Sequence, residues 1–481
     1  MYHFFENISL DKQKIQPLYL QLVDEIVKGI QLNILKHQDK LPGTRDLSRI
    51  LNLNRNTIVR SFEELENQGW IQILPNIGTY ILAKQERNNI SAKSDVQFHS
   101  FNNFQFKCSP LLDVEQLPED YSFQIDEGFN DTRIAEFKLP AKIYALLLKD
   151  NFQHHQKSNY FKRHLINYLN STRNLNISPE NLLIVKSSEL ALQIVSKTIF
   201  SENELVAVEE LSYYKSNMIL QSNKAKIIQV KSDEFGMDIE HLRQLCETNL
   251  IKAVYLSPIS NYPNTNILSN DRKLLLKELS IQYGFAIIEE DQNFDYVYER
   301  SYRPLSSINT EGNCIYISEI GKELAPGFQM SFVVAPSNFI QEAKKHLIIN
   351  DSPFDPLILK TLGTLIKEGD YHRILKRHRK IYRQKRDDFS NRLILTFGNK
   401  ITVKLPKNGF AVWIEWNEKI NLMQLKKDAF KNRLFIPQHL LYQTKDLIGI
   451  RIGFGSLNEE EMDNIISILK HCLDLQNKKA T

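Results

Sequence analysis

The stretch SEIGKELAPGFQMSF, residues Ser318–Phe332, decides how this chain reads. Its one lysine, Lys322, stands just ahead of a Leu-Ala-Pro-Gly turn, and an apolar run lies on either side. Pro-Gly is a strong loop signal. The flanking runs, "NCIYIS" and "FQMSFVVAP", therefore read as two strands joined by a lysine-bearing loop. Further apolar runs recur upstream, "NLLIV", "LVAVE", "KIIQV", "KAVYLSP" and "FAIIEED". Helical patterns such as "SELALQIVSKTIF" and "NDRKLLLKELSIQYG" lie between them. That alternation predicts an α/β domain with a mostly parallel sheet covered on both faces. A long helical stretch with a glycine break follows, "LILKTLGTLIKEGDYHRILKRHRKIYRQKRDDFSNRLIL". A smaller α+β part, built on "NGFAVWIEW" and "LIGIRIGFGSL", closes the chain.

The 481 residues are too many for one ordinary domain. Hydrophobic residues at 42% supply a substantial core. A net charge of +4 is too small to give the whole molecule a basic field, so any nucleic-acid site must be local. Cys108, Cys246, Cys314 and Cys472 lie far apart without zinc spacing and read as the reduced thiols of a cytoplasmic protein. Neither a signal peptide nor a membrane span is legible. No metal site is expected.

The first 84 residues have a different pattern. "PLYLQLVDEIVKGIQLNIL" places Leu18, Leu22, Ile26 and Ile30 on one helical face, with Pro17 suited to its first turn. "KLPGTRDLSRILNL" predicts a short second helix with Thr44 as N-cap. A third helix opens at the capping residue Asn54, buries Ile58, Phe62 and Leu65, and ends at Gly69. "WIQILPNIGTYIL" gives a hairpin turning at Pro75 to Gly78. Three helices and a hairpin make a winged helix-turn-helix. Residues 40–60 carry Lys40, Arg45, Arg49, Arg55 and Arg60 against Asp46 alone, a local +4. In such a unit the start of the third helix enters the major groove. Arg55, Asn56 and Thr57 are the base-edge candidates, Arg45 and Arg60 the phosphate candidates, and Gly78 belongs to the wing. Residues 85–120 read as a tether whose Phe98, Phe101, Phe104 and Phe106 dock on the domain that follows. The expected divisions are 1–84, 85–120 and 121–481, the last split at about 385.

The "LP.TR.L" and "NRNT..R…ELE..G" elements resemble the DNA-binding domain of GntR-type bacterial regulators. That family implies dimers on two-fold related operator half-sites in double-stranded DNA. The later segments resemble fold type I aminotransferases and, more closely, the MocR family, in which a GntR-type winged helix is fused to an aminotransferase-like domain. The matching stretches are "YLSPISNYPNTNILS", "AIIEEDQNFDYVYE", "KELAPGFQ" and "IRIGFGSL". The resemblance implies head-to-tail homodimers and pyridoxal 5'-phosphate (PLP). Lys322 then becomes the imine lysine, Arg451 the ligand-carboxylate residue and Tyr213 the ring-stacking residue. Ser187 and Ser188 fall at the phosphate-binding helix start. Glu290, with Asp291 as the alternative, faces the pyridine nitrogen. Successive strand residues face opposite sides, so only one of the two acids reaches the ring.

Several positions depart from that pattern. Gln292 replaces a tyrosine that bonds the ring hydroxyl, and Glu189 follows Ser187 and Ser188 where the family has Gly-Ser-Gln. Glu319 and Gly321 replace hydroxyl residues, and Gln329 replaces a phosphate-binding arginine. Losing one charged contact costs roughly 1.5–3 kcal/mol. An ionised glutamate beside a phosphate adds about 1–4 kcal/mol of repulsion. The sequence therefore predicts a DNA-binding regulator that senses a small ligand, either PLP or an amino acid or amine held through PLP. Two alternatives stay open: a PLP-dependent aminotransferase, against which the eroded phosphate cup argues, and a regulator with a cofactor-free aminotransferase-like scaffold.

Overall fold

A computed structural model of the chain describes residues 4–5, 8, 10–11, 16–32, 34–74, 77–82, 106–149, 159–298, 302–308, 311–325, 327–351, 353–445 and 447–480. The chain divides into two compact units, Met1–Lys107 and Cys108–Thr481.

The first unit contains helices α1 (Leu18–Gln31), α2 (Thr44–Ile50) and α3 (Arg55–Asn67). Its antiparallel sheet is made of β1 (Lys40–Leu41), β2 (Ile71–Leu74) and β3 (Gly78–Ile81), with β3 in the centre. Leu22, Ile26, Ile30, Leu47, Ile58, Phe62 and Leu65 form its core, so the 3.6-residue apolar spacing does set which helix faces turn inward. Asn54 caps α3, its side chain accepting from the Asn56 N–H at 2.9 Å. Gly69 follows α3 at φ +76°, the left-handed turn that a glycine supplies without strain. Two helix starts differ from expectation by one residue. Gly43, not Thr44, is the N-cap of α2; its carbonyl accepts from Asp46 and Leu47, and the Thr44 hydroxyl accepts instead from Arg55 Nε at 3.4 Å. Pro17 stands just before α1, its carbonyl accepting from Leu20 and Gln21. Pro75 lies outside the described residues.

The second unit is built on a seven-stranded sheet. Its strands are β4 (Leu182–Val185), β5 (Leu205–Glu209), β6 (Lys226–Val230), β7 (Ile251–Leu256), β8 (Ala286–Asp291), β9 (Cys314–Ile320) and β10 (Met330–Val334), in the order β4-β10-β9-β8-β7-β5-β6. Every pairing is parallel except those of β10, which runs antiparallel to both neighbours. The mostly parallel sheet is the expected one. Helices on both faces bury its strands, which is why they read as continuous apolar runs. Gly369, at φ +74°, breaks the long helical stretch into Pro356–Lys367 and Asp370–Phe397.

The closing part has a four-stranded antiparallel sheet made of β11 (Ile401–Lys404), β12 (Ala411–Trp416), β13 (Leu441–Gln443) and β14 (Ile448–Gly453), ordered β11-β12-β14-β13. The boundary at 385 falls inside the unbroken helix Asp370–Phe397. That helix serves two cores: Tyr371, Ile374 and Tyr382 pack into the larger part, Phe389, Leu393 and Phe397 into the smaller. Of the 85–120 stretch, Phe98, Phe101 and Phe104 lie outside the described residues and Phe106 is exposed. Its far end is folded: Glu115 pairs with Lys426, and Asp120 with Arg433 at 2.7 Å.

Arg173, at the end of helix α4 (Asn159–Arg173), is fully buried beneath the ends of β8 and β9. It donates to Tyr316 Oη at 2.8 Å and Ser318 Oγ at 2.7 Å, and pairs with Asp295 at 3.4 Å. Tyr316 in turn donates to Asp291 at 3.0 Å. Removing one partner from a buried charge network leaves the others uncompensated. Arg173→Met is expected to destabilise the second unit by about 3–5 kcal/mol, read as a fall in the urea midpoint.

Candidate functional site

On the first unit, Arg45, Arg55, Asn56 and Arg60 are exposed and Thr57 is half-buried. Among the described residues, none of Arg45, Arg55 and Arg60 has an ion-pair partner; Arg49, by contrast, pairs with Asp46 at 3.6 Å. Unpaired arginines at and around the start of α3 are available to phosphates and base edges. Gly78 opens β3, the wing strand, where an added Cβ would strike the Lys40 side chain 2.4 Å away.

The second unit contains a cavity of about 250 Å³ at the strand ends of its large sheet. It brings together many of the residues singled out in the sequence. Lys322, Glu290, Ser188, Tyr213, Arg451, Glu319 and Gln329 all line it. Asp291 and Ser187 do not. Strand alternation decides between the two acids. Asp291 turns to the opposite side of β8, where Tyr316 and Arg173 hold it and burial lifts its carboxyl to about 7. Glu290 turns inward and accepts from Tyr255 Oη, from Gln292 Nε2 at 2.6 Å and from Ser216 Oγ at 3.3 Å. Burial raises its pKa; the hydrogen bonds from Tyr255 and Gln292 oppose the rise, and Glu319 and Glu189 add to it. Ser187 is spent as a helix cap, accepting from the Leu190 N–H at 3.2 Å at the start of α5 (Ser188–Ile199).

Lys322 Nζ lies 2.6 Å from Glu319 Oε2 and donates to the Gln292 carbonyl at 3.0 Å. Arg451, on β14, donates from Nε to the Glu127 carbonyl at 2.8 Å and from Nη1 to the Pro263 carbonyl at 2.9 Å. Its guanidinium lies over the Tyr262 ring at 4.7 Å. Tyr213 donates to Glu127 Oε1 at 3.1 Å and packs against Tyr262 at 4.8 Å. Glu127, Lys215, Tyr255 and Tyr262 line the cavity too, and the sequence reading passed over them. Glu127 sits in a loop upstream of every aminotransferase-like motif. Lys215 was legible only as a neighbour of Tyr213.

These residues can be tested against a PLP phosphate. Such a group needs N–H donors, hydroxyls and usually an arginine. At the positions assigned to it by resemblance stand Glu189 and Glu319, two carboxylates, and Gln329. The Ser188 hydroxyl accepts from Gln292 Nε2 at 3.1 Å. Among the described residues the cavity's one arginine is Arg451, and the Lys322 charge is already met by Glu319. Gly321 cannot revert to a hydroxyl residue: it lies at φ +90°, and an added Cβ would sit 2.4 Å from the Phe328 carbonyl oxygen. The donor set does not fit a phosphate dianion.

Residues 18–81 match the family model for bacterial regulatory proteins of the gntR family. The chain is similar along its length to regulators. It is 23% identical to the HTH-type transcriptional regulator YdeL of Bacillus subtilis, over 97% of this chain and 98% of that protein. It is 22% identical to the probable rhizopine catabolism regulatory protein MocR of Rhizobium meliloti, over 87% and 83%. Residues 18–81 thus form a GntR-family DNA-binding domain, and the chain as a whole is similar to regulators that include MocR. It is a transcriptional regulator with an aminotransferase-like domain. That domain has the fold of Pyrococcus horikoshii kynurenine aminotransferase, with a TM-score of 0.66 at 19% identity over 74% of this chain and 92% of the other. LysN, the alpha-aminoadipate aminotransferase of Thermus thermophilus, gives a TM-score of 0.65 at 19% identity over 73% and 92%. The fold type I architecture expected from the lysine loop is thus present.

Two substitutions separate the roles of these arginines. Arg55→Ala is expected to cost about 1–3 kcal/mol of operator affinity and to relax base preference. Arg45→Ala is expected to weaken all sequences alike and to flatten the salt dependence. Fluorescence anisotropy on operator and scrambled DNA at two salt concentrations measures both. Unchanged operator affinity in both variants would overturn this docking of α3.

Proposed function

We propose that the protein represses or activates transcription as a homodimer on double-stranded operator DNA, and that a small amino-acid-like effector bound in the second unit's cavity sets its DNA affinity. One observation carries the reading: the same chain joins a GntR-family domain to a charge-lined cavity that keeps Arg451 and Lys322. A ligand moves such an equilibrium only through its different affinity for the two states, so the cavity must differ between the DNA-competent and incompetent forms.

Homodimerisation follows the habit of the fold, and head-to-tail pairing follows the MocR resemblance. Exposed apolar side chains on the second unit, Phe137, Leu146 and Leu148, support an interface there. No helix among the described residues is long and apolar enough to cross a membrane, which is compatible with the expected cytoplasmic site of action.

PLP enters the reading through the fold alone, because the relatives of this fold are PLP enzymes. The acidic phosphate side favours the cofactor-free form of the regulator. The same feature disfavours an aminotransferase, since Glu319 already engages Lys322 Nζ at 2.6 Å.

Light scattering on the purified full chain is expected to give a dimer mass. Selection from random DNA is expected to return two-fold related half-sites. A cell metabolite extract is expected to change operator affinity by about 5- to 150-fold, the usual range of coupling between sites. A monomer that binds DNA indifferently to every fraction would refute the reading. A visible imine band that disappears in Lys322→Ala would reinstate the cofactor, and turnover of an amino donor lost in the same variant would reinstate the enzyme.

A further inference from the structure

One carboxylate oxygen and one cation in the cavity lack the partner that burial calls for. The Glu127 side chain is only 10% exposed, and its Oε1 accepts from Lys215 Nζ at 2.7 Å and from Tyr213 Oη. Its Oε2 has no hydrogen-bond partner among the described residues. His439 Nε2 is 4.0 Å from Oε2, and burial lowers that imidazole's pKa. Arg451 is the second. It is buried, donates to two backbone carbonyls and forms no ion pair among the described residues. A buried guanidinium without a counter-anion is costly. The two groups are neighbours, because Arg451 Nε bonds the carbonyl of Glu127 itself. An unmet cation beside an unmet acceptor matches the head group of a free α-amino acid, whose carboxylate and ammonium are one carbon apart.

We propose that the cavity binds a free basic α-amino acid intact and non-covalently. Its carboxylate meets Arg451, its α-ammonium meets Glu127 Oε2, and its side-chain cation points toward the acidic inner end. The inference rests on the effector-sensing reading above and adds Glu127 as the amine's receptor. An imine mechanism would have the α-amine replace Lys322 on the aldehyde carbon of PLP, but the donor set here does not fit that cofactor's phosphate, and Lys322 is held by Glu319 and the Gln292 carbonyl. The inner end supplies the selectivity. Glu290 and Glu189 line it with no cation paired to them among the described residues, and Gln292 adds a polar wall. No bond to the ligand forms or breaks.

Calorimetry on the full-length protein tests this with two probes, L-lysine and L-norleucine, which differ in the side-chain cation. L-Lysine is expected to bind saturably and L-norleucine at least about tenfold more weakly, the loss of one charged contact. Glu127→Gln is expected to weaken both probes at least about tenfold. Lys215→Met breaks the same Lys215–Glu127 ion pair but leaves the acceptor, so it is expected to bind as tightly as the parent or more so. Equal losses in the two variants would make Glu127 structural and overturn the proposal. Lys322→Ala is expected to keep L-lysine binding, and its loss there would overturn the proposal. Thermal melting of each variant shows that it folds. If neither probe binds the parent protein, the inference fails. The effector-sensing reading fails only if no metabolite fraction, and no added PLP, alters operator affinity.

Discussion

Three consecutive acids, Glu289, Glu290 and Asp291, end strand β8 inside the protein, and all three are buried. A charged carboxylate in that setting must be paired, hydrogen-bonded or protonated. Much of the second unit's interior is arranged to meet that demand. Glu289 accepts from the Leu305 and Ser306 N–H groups at 2.7 and 2.8 Å, which ties the following loop to the strand. Asp291 takes the Arg173–Tyr316 network. Glu290, on the other face from both, is held by Tyr255, Ser216 and Gln292 at the cavity wall. A parallel strand end is where ligands bind in open α/β sheets, so the constraint on this strand also shapes the site.

The cavity's charges follow from neighbours of that strand. Lys322 hangs from the loop after β9, three residues beyond Glu319, and the two meet as an ion pair. A lysine compensated in this way is poorly placed to act as a nucleophile, and a glutamate there repels a phosphate. The same pair leaves the remaining carboxylates free to meet a cation from outside. The fold of a PLP enzyme has thus been kept while the polarity of one side of its pocket has been changed. Binding and release of the proposed effector without conversion suits an intact pocket with an altered charge pattern.

Much of this was legible in the chain. Period-3.6 apolar spacing located α1 to α3, because those helices each bury one face on a small core. Continuous apolar runs located the parallel strands, because helices cover both faces of that sheet. The lysine loop was legible as a loop through its turn chemistry, which is local, and it pointed to the fold type I architecture through its resemblance to that family. The substituted phosphate positions, Glu319 and Gln329, were also readable, since each is a type change at a fixed offset from Lys322. Small misses came from cap geometry: Gly43 rather than Thr44 caps α2, because the Thr44 hydroxyl is engaged by Arg55, a contact across eleven residues.

What the sequence by itself determined was periodicity, turn chemistry and residue type: two units, the element order within them, and which charges stand near Lys322 along the chain. Tertiary structure alone decided which charges meet. Glu127 reaches Lys215 across 88 residues and, through its carbonyl, Arg451 across 324, and no local pattern encodes either approach. Glu290 and Asp291 are chemically similar neighbours, and only the partners on each side of β8 sort them between the cavity and the buried arginine. The reason is physical: a side chain's direction is set by its own backbone, but its charge balance is set by whatever the rest of the fold brings within a few ångströms.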